Sequence, residues 1–172
     1  MNILAIDPGP EKSAYVLLED GVPTQSGWWT NEDIDDRFIE GWGFDYDHLV
    51  IEKVMSYGMG VGESVFETVF WTGIFAAHNW KPFSRVPRLD VKMALCHDSK
   101  AKKGNVNQAL KDYYDTRNPV GTKKNQGPLY DFARNSGDGL THRWDALALA
   151  VTTYLAMRAV STRSRSVDTG TE

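Results

Sequence analysis

Asn2-Ile-Leu-Ala-Ile-Asp-Pro-Gly-Pro10 is a short, continuous apolar run that ends in an acid and then in turn residues. Such a run reads as a buried strand with Asp7 at its carboxyl end, because Pro8-Gly9-Pro10 cannot continue it. Ser13 to Glu19 forms a second strand, Asp20-Gly21 a hairpin turn and Val22 to Trp29 a third strand, which makes the opening an antiparallel meander. His48-Leu-Val-Ile-Glu-Lys53 repeats the first pattern, with apolar residues running into Glu52. If these two acid-ending strands lie parallel and side by side, Asp7 and Glu52 share the carboxyl edge, where open α/β sheets place their ligands. The expectation is an α/β domain: a mixed sheet, antiparallel meander plus parallel strands, flanked by helices.

Between and after these strands the spacing predicts helices. Asn31 to Glu40 reads as a short acidic surface helix. Ser56 to Gly62 is glycine-rich and reads as a loop, and it lacks the Lys-Ser/Thr ending of a phosphate-binding P-loop. Glu63 to Trp80 has a helical apolar stripe of Val65, Phe66, Val69, Phe70, Gly73, Ile74 and Ala77, with Trp71 and Phe75 outside it. A helix apolar on more than one side needs a second covering, and a second copy of the chain is the simplest one. Residues 82–87 form a short strand at best, Arg88 to His97 a short helix carrying Lys92, and Asn105 to Tyr114 a helix with a basic exposed side. Thr116 to Gly139 is a long connection without a helical or strand pattern, the kind usually functional or disordered.

The last helix, 142–160, opens with Leu140-Thr-His-Arg-Trp-Asp145, with Thr141 as N-cap. His142 and Asp145 are three residues apart and project side by side, so they can converge on one metal or phosphate. On this segment alone an alternative stands equally well, in which Asp145 caps the helix or pairs with Arg143 and His142 is a satisfied surface residue. Residues 1–160 read as one domain, and 161–172 as a polar, flexible tail.

Bulk properties narrow the class. A chain of 172 residues buries roughly 70% of its unfolded surface, enough for one core. The single cysteine, Cys96, excludes an internal disulfide, agrees with a reducing setting and reads as a small buried hydrophobe. The start has no basic leader and no stretch is long enough to cross a bilayer, so a cytoplasmic protein without membrane contact is expected. The net charge of −4 hides an asymmetry. Residues 1–80 hold 14 acids against 3 bases, and residues 81–172 hold 9 against 16, giving −11 and +7. The basic half suggests a polyanionic partner, unless the two halves neutralise each other across the fold. Clustered carboxylates repel one another without a cation, and hard oxygen ligands point to Mg²⁺ or Mn²⁺. Two such ions are a standard apparatus for water attack on a phosphodiester.

Ile6-Asp7-Pro8-Gly9, Val50-Ile51-Glu52-Lys53 and His142-Arg-Trp-Asp145-Ala-Leu-Ala together resemble the RuvC-type Holliday junction resolvases, particularly compact phage-encoded ones. The resemblance spans residues 1 to about 160. It implies an RNase H-like fold, a homodimer, and symmetric cleavage of four-way DNA junctions with two divalent ions, leaving 5′-phosphates. It also implies that Asp7, Glu52 and Asp145 are catalytic metal ligands, with His142 where many members carry an aspartate. Lys92 resembles the family's DNA-binding lysine beside the active site, and Lys103 is a looser match for a second. Lys100, Lys102, Lys123 and Lys124 are expected to contact phosphates collectively. The family's junction-wedging aromatic is matched by Met55 in position and by Tyr57 in type. Three alternatives stay open: a flap or fork nuclease, an RNA–DNA hybrid nuclease, and a DNA-binding subunit without activity.

Overall fold

The structure is a computed structural model and describes residues 1–56, 58, 60–114, 119–130, 132 and 139–167, with side chains through 162. Five strands, β1 (Asn2–Asp7), β2 (Lys12–Glu19), β3 (Val22–Thr30), β4 (His48–Lys53) and β5 (Phe83–Pro87), form one sheet in the order β3-β2-β1-β4-β5. The pairs β3/β2 and β2/β1 are antiparallel, and β1/β4 and β4/β5 are parallel. The expected meander and the expected parallel pair are both present. Asp20 and Gly21 turn the first hairpin with φ of 48° and 87°, the left-handed pair that a two-residue loop between twisted strands requires.

β1 reads as a continuous apolar run because both of its faces are covered. Ile3 and Ala5 pack with Val50 on one face, while Leu4 and Ile6 pack with Leu49 and Ile51 on the other. The first face is covered by α3 (Arg88–Cys96), α4 (Lys103–Tyr113) and α5 (Leu140–Val167), and the second by α1 (Asn31–Glu40) and α2 (Glu63–His78). Strand alternation therefore sends Asp7, two residues after Ala5, and Glu52, two after Val50, toward the α5 side. Since Ile6 pairs with Ile51 in the parallel ladder, the two acids lie one step beyond the same rung. No helix among the described residues is long and apolar enough to cross a membrane.

Several local expectations change. α5 begins at Leu140, where Arg143 N–H donates to Gly139 C=O at 2.9 Å, so Thr141 lies inside the first turn and is not the cap. Its backbone stays helical to Val167, past the expected end at 160. On α2 the buried positions are Thr72 and Phe75, with Trp71 and Ile74 partly buried, whereas Phe66, Val69 and Phe70 of the anticipated core stripe are exposed. A helix apolar all round carries no internal record of which side meets the sheet. The choice falls to the aromatic layer of Phe38 and Trp42, against which Phe75 packs. The connection after α4 is also less open than its composition implies. Gly121 bridges Gln126, Leu129 and Phe132 enter the core, and Trp144 Nε1–H donates to the Phe132 carbonyl at 3.0 Å. Cys96 is only half-buried, packed against the edge of the same core.

Candidate active site

The turn that follows Asp7 is held by a small hydrogen-bond network. The Ser13 hydroxyl donates to Asn31 Oδ1 at 2.6 Å, Asn31 Nδ2–H donates to the Gly9 carbonyl at 3.0 Å, and Gly9 N–H donates to Ser13 Oγ at 3.2 Å. A Cβ at Gly9 would overlap the Lys12 carbonyl, so the turn after Asp7 admits only glycine in this shape. α5 is set by a comparable close approach. Gly139 has φ of 78° and lies against Trp28, where a Cβ would overlap the indole. That contact fixes the start of the helix over the end of β1.

The consequence is a convergence of five elements, β1, β4, α3, α4 and α5. His142 Nδ1 lies 3.0 Å from Asp7 Oδ2, and one ligand atom each from Asp7, His142 and Asp145 falls within 4.8 Å of the others. An octahedral ion with bonds of about 2.1 Å places opposite ligands about 4.2 Å apart, so donor atoms within 4.8 Å of one another are on the scale that Mg²⁺ or Mn²⁺ spans. Two carboxylates and an imidazole are the donor chemistry such ions accept. Glu52 is brought to the same edge but stands outside that group of three, facing Arg88, whose Nη1 lies 3.5 Å from Glu52 Oε2. Arg88 Nη2–H also donates to Asp145 Oδ1 at 2.8 Å, and Lys103 Nζ is 2.6 Å from Asp145 Oδ2.

The electrostatics follow from burial. Asp145 is 6% exposed, the Asp7 side chain 11% and the Glu52 side chain 19%, so three carboxylates share little solvent. Burial pushes the Asp7 carboxyl above its ordinary value; the His142 hydrogen bond opposes this and the Asp145 charge adds to it. Burial, and then the neighbouring Asp7 charge, push Glu52 up to about 7. The hydrogen bond to Asp7 raises His142. For Arg88, burial alone would lower the guanidinium, but its bond to Asp145 and the surrounding acids outweigh that and raise it.

The structure thus brings Asp7, Glu52, His142 and Asp145 together. Lys103 ion-pairs within the cluster, and Lys92 lines a small cavity shared with Glu52, Arg88 and Asp145. Lys100 and Lys102 are exposed just before α4, and Lys123 and Lys124 are exposed in the turn closed by the Gly121–Gln126 bridge. Met55 is exposed after β4, and Tyr57 lies outside the described residues.

Sequence reasoning missed two residues. Arg88 follows Pro87 at the end of β5, and a charged residue closing a strand parallel to β4 was the available signal. Trp28 stacks on His142 with ring centroids 6.2 Å apart and an interplanar angle of 1°, while Lys12 Nζ sits 4.7 Å from the centroid of that indole. Nothing in the Trp28-Trp29 pair announced which indole would face the site.

Among solved structures, the Thermus thermophilus RuvC structure matches with a TM-score of 0.65 at 18% identity, covering 92% of this chain and 97% of that one. The fold is RuvC-like. T. thermophilus RuvC in complex with Holliday junction substrate matches with a TM-score of 0.64 at 16% identity, covering 92% of this chain and 96% of the other. No protein-family model matches the sequence, and no curated protein matches it. At these identities the likeness establishes the RuvC-like arrangement of strands and helices.

Proposed function

We propose that this chain is a divalent-metal-dependent, structure-selective DNA endonuclease, a crossover junction endodeoxyribonuclease that resolves four-way junctions by paired symmetric nicks and leaves 5′-phosphates. The observation that carries this reading is the Asp7–His142–Asp145 group with Glu52 beside it, at the strand edge of a RuvC-like fold. One of the matching structures was solved with a Holliday junction substrate, which favours branched DNA as the polyanion for the basic half of the chain. Such an enzyme would serve DNA recombination and repair.

Asp7, Glu52, His142 and Asp145 would hold two ions, either Mg²⁺ or Mn²⁺. When bound, the ions supply an activated water and stabilise charge on the leaving 3′ oxygen. The protein's own share is positional. The Ser13–Asn31–Gly9 network holds the Asp7 turn, and Trp28 fixes the plane of the His142 ring. Lys92, Lys100, Lys102, Lys103, Lys123, Lys124 and Tyr57 are assigned to phosphate and DNA contacts, which would make binding fall steeply with salt.

A cleavage panel of junction, fork, flap and RNA–DNA hybrid in Mg²⁺ and in Mn²⁺ tests this reading. The expected result is symmetric nicking of the junction in preference to the other three. Equal cutting of fork and flap would broaden the substrate, preferential cutting of the hybrid would replace it, and metal-independent binding without nicking would make the chain a binding subunit.

Paired nicks on a two-fold junction call for two sites related by a two-fold axis. α2 offers the self-complementary face, since Phe66, Val69 and Phe70 are 62%, 50% and 59% exposed. Large apolar side chains clustered this way favour an interface. Sedimentation is therefore expected to give a homodimer at micromolar concentration, and Phe66→Asp with Phe70→Asp a monomer; a monomeric parent would overturn the assembly.

A further inference from the structure

We propose that Lys12 is a phosphate-binding residue of this site, seating the strand to be cut on the β2–β3 side of Asp7, within two nucleotides of the reacting phosphate. The inference rests on the DNA-cleaving reading above and adds a contact to it. Residues 1–80 carry three basic side chains, Lys12, Arg37 and Lys53, against 14 acids. A polyanion crossing that half of the protein is repelled except where one of these three offsets the acids.

The fold decides which of them stands at the site. β1 is central in the order β3-β2-β1-β4-β5, so Asp7 at its end has β2 and β3 on one side and β4 and β5 on the other. Glu52 and Arg88 belong to the second side, and every lysine assigned to DNA above comes after residue 80. Lys12 opens β2 directly after the Asp7 turn, opposite Thr30 of β3. The close approach of Gly9 to the Lys12 carbonyl ties its backbone to the end of β1. Arg37 lies instead on α1 among Asp33, Asp36 and Glu40, and Lys53 lines a hollow against α2.

The Lys12 side chain is exposed, with its Nζ 4.7 Å from the centroid of the Trp28 indole, the ring that lies parallel to His142 at 6.2 Å. Among the described residues it makes no ion pair, whereas Arg88 and Lys103 are both engaged on Asp145. An aromatic face attracts an ammonium without neutralising it. The indole therefore steers the cation toward the metal-ligand corner and leaves its charge for a ligand. A lysine ammonium is a compact point charge with three donors, which suits the oxygens of a single phosphate.

Junction binding by the full chain in chelator, measured over a range of salt, reads this without cleavage. Lys12→Gln is expected to bind about three- to tenfold more weakly at low salt and to reduce the slope of log affinity against log salt by about 1. Lys12→Arg keeps the charge and should stay near the parent; melting curves check that both variants are folded. A series of junctions, each with one neutral methylphosphonate within two nucleotides of the bond that the parent cuts in Mg²⁺, locates the contact. One position should weaken the parent and leave Lys12→Gln unaffected. An unchanged salt slope in Lys12→Gln, or the same methylphosphonate profile in both proteins, would overturn the role of Lys12 and leave the nuclease reading standing. A parent that binds no junction, or binds it without cutting, would overturn both.

Discussion

Asp7→Asn, Glu52→Gln and Asp145→Asn are each expected to bind a four-way junction and to cleave it about a thousandfold more slowly or worse. Each change keeps the shape and removes one negative charge and one oxygen ligand, and losses of that size correspond to about 4 kcal/mol of transition-state stabilisation. The three variants should differ in stability, which separates lost chemistry from lost structure. Asp7 is buried against other acids, and its carboxyl is pushed up, so the neutral amide relieves repulsion. Asp7→Asn should therefore melt no lower than the parent. Asp145 is the shared partner of Arg88 and Lys103, so Asp145→Asn leaves two cations without their common counter-ion and should melt lower. Cleavage assays beside binding in chelator and thermal melts check this, and near-parental cleavage by any one variant would remove that residue from the site.

Without divalent ions the protein is expected to be more stable at pH 5 than at pH 8, the reverse of the behaviour of an ordinary salt-bridged carboxylate. Glu52 rises from 4.5 unfolded to about 7 folded, so between those values the folded state binds more protons and stability falls as pH rises. The shift is worth about 3 kcal/mol, fully present below pH 4.5 and lost by the time the pH has passed 7. Asp7 and His142 are also raised in the folded state, so both act in the same direction. For a chain of this length about 3 kcal/mol corresponds to roughly 6–12 °C in melting temperature. Mg²⁺ at a hundredfold excess over its dissociation constant would restore about 2.7 kcal/mol at pH 8, by replacing protons as the counter-charge. Melting in chelator and in Mg²⁺ at both pH values measures this. Glu52→Gln should flatten the dependence, and an unchanged profile would show that Glu52 is not the group responsible.

The strands and the acids that end them were legible because each rests on short-range pattern. A continuous apolar run closed by Asp7 and turn residues, or by Glu52, needs no distant partner to be recognised, and Asp20-Gly21 dictates its hairpin by backbone sterics alone. The three-residue spacing of His142 and Asp145 likewise follows from helix geometry. The sequence by itself determined a mixed α/β sheet, four candidate ligands and the expectation that they meet. Only the tertiary structure decided the rest. That Arg88 rather than a nearer lysine bridges Glu52 and Asp145 depends on β5 lying parallel beside β4, a pairing between residues far apart in the chain. That Trp28 stacks on His142 depends on α5 crossing β3 at Gly139, and that α2 turns Phe75 inward and Phe66 outward depends on an aromatic layer contributed by α1 and the loop after it. In each case the deciding energy is packing and charge between segments distant in the chain, and a local pattern of side chains carries no information about it.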